Sequence, residues 1–328
     1  MNDSSAQLRA KSPAAVADAG RSVFVTAQDG LRLHVREYGS RTAPGVPVVC
    51  LPGLARTVDD FDVIAPALAA DGRRVIAIDS RGRGQSEYDS NPENYNLAIE
   101  LGDVMTVLTA LGMSKAVFIG SSRGGLLAML LGVARPTAIA GVVLHDIGPV
   151  IELKGLARIK SYVGKLPQPR SFAEGSEILS RLASAQFPKL SAEQWLANAR
   201  RTWKTDDGEF VPRYDVRLAR TLAEVDIERP LPPLWKEFDA LARVPLMVIR
   251  GANSDILSPA TVAAMRERHA AMVVIEVPDQ GHVPLLDGKD LLLAVSEFVA
   301  DCEQPRPRSI ASKPGLALST TRPSTAEG

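Results

Sequence analysis

The chain has 328 residues, 45% of them hydrophobic and 23% charged, and its 38 Lys and Arg balance 38 Asp and Glu to a net charge of zero. That length accommodates a large layered core plus a smaller second unit, while the charge balance gives neither a nucleic-acid footprint nor attraction to an anionic membrane surface. Two cysteines, Cys50 and Cys302, are too few for a disulfide framework and lack metal-ligand spacing; no run approaches the ~20 apolar residues of a membrane span, and the first twenty residues hold no signal-type apolar run, so a cytoplasmic location is expected.

Residues 1–20 are rich in Ala and Ser without aromatics, and residues 304–328 mix Pro with Ser, Thr and Arg. Both read as disordered tails. Between them, Arg21 to Ala27 and Leu31 to Tyr38 read as an opening hairpin, and from Val46 to Leu144 strand-like apolar runs alternate with helical patterns. Such alternation implies a mostly parallel sheet with helices on both faces. The pattern breaks at Ile147-Gly148-Pro149 and resumes at Val244. The stretch between reads as helices broken by prolines, with no strand-like run, and it holds all three tryptophans, Trp195, Trp203 and Trp235. The expected organisation is therefore a core over 21–148 and 239–303, with a helical cap over 149–238. The tryptophans either line a site beneath the cap or give the cap a core of its own.

Five residues, Gly120-Ser121-Ser122-Arg123-Gly124, follow the apolar run Ala116 to Ile119 and precede the apolar segment Leu126 to Val133. Strand, G-x-S-x-G, helix is the context of a nucleophile elbow, in which a strained turn exposes the central serine and the flanking glycines avoid collisions with backbone. The first N–H groups of the helix after such a turn lack intrahelical acceptors and face the position where a carbonyl oxygen becomes negative on attack. A serine hydroxyl needs a histidine base, and the histidine a carboxylate.

The chain has four histidines. His34 lies in a predicted strand and His269 at a charged helix end, so both are expected to be strand-face or surface residues. His145 closes an apolar strand. His282 stands in the polar loop Asp279 to Pro284, after the strand Met272 to Val277 and before the last amphipathic helix, Asp287 to Ala300. This is the placement of a base. For the acid, Asp255 follows the strand Pro245 to Ile249 in Gly251-Ala252-Asn253-Ser254-Asp255, and Asp146 follows the sixth strand. The Gly-x-x-x-Asp loop favours Asp255; Asp146 is its competitor. Ser122, Asp255 and His282 then follow the order Ser…Asp…His, each in a loop at the carboxyl end of a strand.

At this point the chain resembles the serine α/β-hydrolase superfamily, in its lidded branch with meta-cleavage-product hydrolases, enol-lactonases and small carboxylesterases. Val48-Val49-Cys50-Leu51-Pro52-Gly53-Leu54 is similar to the family's third strand and oxyanion loop, with Pro52-Gly53 where many relatives have His-Gly. Val75 to Ser86, containing Asp79-Ser80-Arg81-Gly82-Arg83-Gly84-Gln85-Ser86, is similar to the fourth strand and its D-x-R-G-x-G-x-S turn. The resemblance implies an eight-stranded α/β-hydrolase sheet, a cap after the sixth strand, oxyanion N–H groups from Leu54 and Arg123, and a supporting role for Asp79. It implies no organic cofactor and no metal, and a small-molecule substrate in place of nucleic acid or membrane. A serine at 122 disfavours the dehalogenase and epoxide hydrolase chemistries, which need an alkylatable carboxylate. Ester or lactone hydrolysis is the expected activity; C–C hydrolysis of a vinylogous diketone, acyl transfer and non-catalytic binding are the alternatives. The Arg123 side chain replaces the usual apolar or amide residue, either to bind a substrate anion or to pair with a carboxylate of the protein.

Overall fold

The computed structural model describes residues 20–303 other than 224 and 227; the tails expected to be disordered fall, Gly20 apart, outside the described residues. Eight strands form one sheet: β1 (Arg21–Thr26), β2 (Arg32–Tyr38), β3 (Val48–Leu51), β4 (Val75–Ile78), β5 (Ala116–Ser121), β6 (Ile139–His145), β9 (Leu246–Gly251) and β10 (Val273–Val277). Their order is β1-β2-β4-β3-β5-β6-β9-β10. The β1–β2 and β2–β4 pairs are antiparallel and the remaining pairs parallel. Strands β3 to β6 and β9 are buried at every position, which is why they read as unbroken apolar runs: a parallel sheet covered on both faces has no polar side.

Two helical layers supply that cover. On one face α2 (Leu97–Ala110), α3 (Arg123–Ala134) and α9 (Pro259–Arg268) share a core with Phe118, Leu144 and Val248. On the other, α1 (Ile64–Ala70) and α10 (Lys289–Asp301) pack on Val117, Ile119 and Ile249. Cys50 lies wholly buried in this second core, where burial raises its thiol pKa and leaves it a small hydrophobe.

Between β6 and β9 run α4 (Leu153–Tyr162), α5 (Phe172–Ala183), α6 (Ala192–Thr202), β7 (Trp203–Asp206), β8 (Glu209–Pro212), α7 (Arg220–Ala223) and α8 (Trp235–Asp239). Helices α5 and α6 begin at serines whose hydroxyls accept from backbone N–H groups, Ser171 from Glu174 and Ser191 from Gln194, the second completed as a capping box. The expectation that no strand interrupts this segment is wrong. β7 and β8 form an antiparallel hairpin, turned at Asp207 and Gly208 with φ of 47° and 84°, the left-handed pair that an Asp-Gly hairpin turn needs.

The insert is fastened to the core at defined points. Leu234 N donates to Pro149 O at 2.8 Å, joining the insert's two ends, and the turn after β4 holds it by Gly84 N to Arg213 O at 2.8 Å and Asp215 N to Gly82 O at 2.7 Å. The tryptophans divide three ways. Trp195 lines a cavity, Trp203 is buried in a small core with Ile178 and Ala199, and Trp235 packs against the main core beneath the Arg268 guanidinium, 4.5 Å from its ring centre.

Candidate active site

Only Ser122 separates β5 from α3, and its backbone sits at φ 49°, ψ −113°, a region that costs a non-glycine residue roughly 1–3 kcal/mol. The neighbouring glycines permit the turn: a Cβ at Gly120 would lie 2.5 Å from Gly124 O, and one at Gly124 would lie 2.0 Å from Leu51 O. Bonds from Ser122 N to His145 O at 2.9 Å and from Gly125 N to Ser122 O at 2.9 Å hold the strained residue between the sixth strand and the helix.

The loop after β10 brings His282 Nε2 within 2.9 Å of Ser122 Oγ, and its Nδ1 lies 2.8 Å from Asp146 Oδ2. A carboxylate only accepts, so Nδ1 carries the proton and the Nε2 lone pair faces the serine hydroxyl. Asp146 is fully buried and accepts two further bonds, from Gly251 N at 2.8 Å and Ser254 Oγ at 2.6 Å. Its φ of 54° turns the carboxyl out of the line of β6 toward the loop after β9.

The expectation that Asp255 holds His282 is therefore corrected. Arg158, from α4, takes both Asp255 oxygens, Nε to Oδ2 at 2.7 Å and Nη2 to Oδ1 at 2.8 Å. Burial by itself would raise the Asp255 carboxyl, but the Arg158 hydrogen bonds and charge hold it below the usual carboxylate range. Its partner comes from the insert, 97 positions away, a pairing that no local motif announces. The Asp146 signal was present: it directly follows the strand adjoining the elbow strand.

The other histidines are all buried, none at the surface. His34 Nδ1 bonds Asp79 at 2.7 Å. Asp79 also accepts from Val58 N at 2.8 Å and Gln85 N at 3.1 Å, tying the β4 turn to its surroundings as a supporting residue. His269 Nε2 bonds Val244 O at 3.0 Å. His145 bridges Ser121 Oγ at 2.7 Å and Pro284 O at 2.8 Å. Burial pushes its pKa down to about 4; it is neutral near pH 7, so Nε2 donates to the Pro284 carbonyl and Nδ1 accepts from Ser121. That bridge anchors the loop that carries His282.

Leu54 and Arg123 flank the serine. Arg123 opens α3, so its N–H is among those a helix cannot satisfy internally. The loop holding Leu54 passes close by, since a Cβ on Gly53 would lie 3.7 Å from that of Ser122. The Arg123 side chain is committed to the protein: Nε bonds Glu100 Oε2 at 2.7 Å and Nη2 bonds Tyr95 O at 3.1 Å. Glu100 also holds Arg83 Nη1 at 2.8 Å, and Arg83 Nε donates to Leu54 O at 2.8 Å. A buried Arg–Glu–Arg chain thus runs from one flanking residue to the other. Sequence reading gave no such role to Arg83 or Glu100: Arg83 is one of two arginines in a polar, glycine-rich turn, and the signal of Glu100 was a lone charge within the apolar run Leu97-Ala98-Ile99-Glu100-Leu101. Burial would raise the Glu100 carboxyl, but the two guanidinium groups hold it below its ordinary value.

Ser122 and His282 open onto a cavity of about 250 Å³. Leu179, Leu182, Phe187 and Trp195 of the insert form an apolar wall, and Arg56, Arg158 and Arg201 bring charge to it. Arg56 is pinned by Asp60 through Nε at 2.8 Å and donates to Thr202 Oγ1 at 3.3 Å.

A mostly parallel eight-stranded sheet with an elbow serine at the end of β5 and a histidine after β10 defines an α/β hydrolase. The family model for the alpha/beta hydrolase fold matches residues 46–289, and the chain belongs to that family. It is 35% identical over 275 residues, 81% of this chain and 92% of the relative, to a 3-hydroxybutyrate-oligomer hydrolase of Cupriavidus necator. An alpha/beta hydrolase from Novosphingobium aromaticivorans superposes with a TM-score of 0.78 at 36% identity, covering 86% of this chain and 98% of that one. E-2-(acetamidomethylene)succinate hydrolase shares the fold, with a TM-score of 0.71 at 22% identity over 85% of this chain and 99% of its own.

Proposed function

We propose that this protein is a serine hydrolase that cleaves carboxylic esters or lactones of small organic substrates through an acyl-enzyme. The observation that carries the reading is the unbroken series Ser122–His282–Asp146, at 2.9 and 2.8 Å, opening into a cavity of about 250 Å³. In it, His282 takes the Ser122 proton as Oγ attacks the carbonyl carbon, and Asp146 stabilises the imidazolium. The N–H groups of Leu54 and Arg123 receive the oxyanion. His282 returns the proton to the leaving alcohol, then activates the water that releases the acid. Residues 149–238 act as the cap, their apolar wall selecting the acyl or alcohol chain. The relative from Cupriavidus necator is by name a hydrolase of hydroxybutyrate oligomers, which favours ester cleavage over C–C cleavage.

The test is Ser122→Ala, assayed on p-nitrophenyl esters of graded chain length, lactones and one meta-cleavage product. The variant is expected to keep its melting temperature and to lose roughly a millionfold in kcat on the best substrate. Retained esterase activity would end the proposal.

A further inference from the structure

The cavity's three arginines differ in what holds them. Arg56 is engaged by Asp60 and Arg158 by both oxygens of Asp255. Among the described residues, the Arg201 side chain makes no hydrogen bond and has no carboxylate within ion-pair distance. The carboxylates of its surroundings have other partners: Asp62, which feels the Arg201 charge, is bonded by Arg36 at 2.9 Å, and of the two that line the cavity Asp60 is bonded by Arg56 and Asp287 accepts from the Gln194 amide at 3.2 Å. Asn198 lies three residues before Arg201 on α6, lines the same cavity, and its side-chain amide makes no hydrogen bond among the described residues. Residues three apart on a helix stand side by side.

A guanidinium in a part-buried wall with no carboxylate in ion-pair contact gives up hydration for only the more distant charge of Asp62, a cost that a bound anion reduces. Its planar fork matches the two oxygens of a carboxylate, and an adjacent amide N–H adds a third donor. We propose that Asn198 and Arg201 form a subsite for a substrate carboxylate, so that the favoured substrates are esters bearing a free acid group away from the scissile carbonyl. This rests on the serine-hydrolase reading above. The core supplies Ser122 and His282 while α6 of the insert supplies the subsite, so the substrate spans the two.

The experiment compares p-nitrophenyl hydrogen adipate with its neutral counterpart, p-nitrophenyl hexanoate, through the ratio of their kcat/KM values. The wild-type ratio is expected to favour the adipate ester. Arg201→Met should lower the ratio ten- to a hundredfold, the equivalent of one charged hydrogen-bonded contact. Arg201→Lys should restore part of it, and Asn198→Ala should lower it less. Arg200→Met, on the exposed side of the same helix against Phe172, should leave the ratio alone. Binding of adipate itself to the Ser122→Ala protein, measured by calorimetry, should weaken with Arg201→Met. An unchanged ratio, an equal change from Arg200→Met, or no wild-type preference would overturn the subsite. Neutral-ester hydrolysis surviving in Ser122→Ala would instead overturn the nucleophile, and the adipate calorimetry would still judge Arg201.

Discussion

Two aspartates compete for one histidine, and hydrogen-bond geometry separates them. Asp146 Oδ2 faces His282 Nδ1 while Asp255 is clamped by Arg158. Asp146→Asn is expected to lower kcat on an activated ester by about 10⁴, as the loss of the orienting acid does in the best-studied Ser-His-Asp site. Asp255→Asn should lower it less than tenfold, because its carboxylate serves Arg158; steady-state kinetics on both variants decide, and the reverse order would restore Asp255 as the acid. His145 sets a pH dependence. Its folded pKa of about 4 lies below the ordinary 6.5, so the unfolded chain binds the extra proton first; stability from this group is complete above pH 6.5 and is lost as pH falls from there toward 4. The contribution is about 3 kcal/mol. Unfolding free energies measured by denaturant titration should fall across that window in the wild type and fall less in His145→Gln, whose amide offers one acceptor to Ser121 and one donor to Pro284; equal slopes would sink the idea. At this scale the meeting of Ser122 and His282 was legible, because each lies within a strand–turn–helix or strand–loop–helix signature of its own. The aspartate beside His282 was not legible, because Arg158 and Asp255 meet only after folding.

Among the elements, the ionic chain from Leu54 through Arg83 and Glu100 to Arg123 joins the β3 loop to the start of α3. Buried Arg–Glu–Arg triads are poor sources of stability, and apolar replacements of similar volume are often neutral or stabilising by about 1–4 kcal/mol. Its use here is geometric: it fixes the spacing of the two proposed oxyanion donors. The triple change Arg83→Met, Glu100→Met and Arg123→Met keeps both backbone N–H groups and is expected to hold or raise the melting temperature. It should still lower kcat ten- to a hundredfold with little change in KM, since a misplacement of about 1 Å costs about that much. Wild-type kcat in a stable triple variant would leave the chain without a role in the site. Glu100→Gln alone should instead destabilise by about 3–5 kcal/mol, because two buried guanidinium groups lose their counter-charge. Elements with a single strong period were legible: the buried strands read as apolar runs and α10 as an amphipathic helix. The hairpin β7–β8 escaped because Trp203-Lys204-Thr205 and Phe210-Val211 are too short to stand out, although Asp207-Gly208 marks the turn between them.

Over the whole molecule, the alternation of strands and helices foretold the sheet, and the break at Gly148-Pro149 foretold the insert. What lay beyond reach was how the two meet: Gly84 to Arg213, Gly82 to Asp215 and Tyr95 Oη to Asp215 at 2.6 Å join segments more than a hundred positions apart. These contacts predict that the insert and core melt together, so calorimetry should show one transition; Asp215→Ala, which removes the carboxylate that Tyr95 and Arg217 both bond, should lower its midpoint, and two resolved transitions in the wild type would contradict the coupling. The bond between Leu234 N and Pro149 O carries a different consequence. Chain leaves the sheet and returns to it through a single doorway, so a change of length beyond that doorway leaves strand register alone, provided that the clasps at Arg158, Arg213 and Asp215 are kept. The scaffold is a socket whose cassette is held by one doorway and a few clasps, so the stretches between the clasps are the ones in which length and sequence can be rewritten without disturbing the frame.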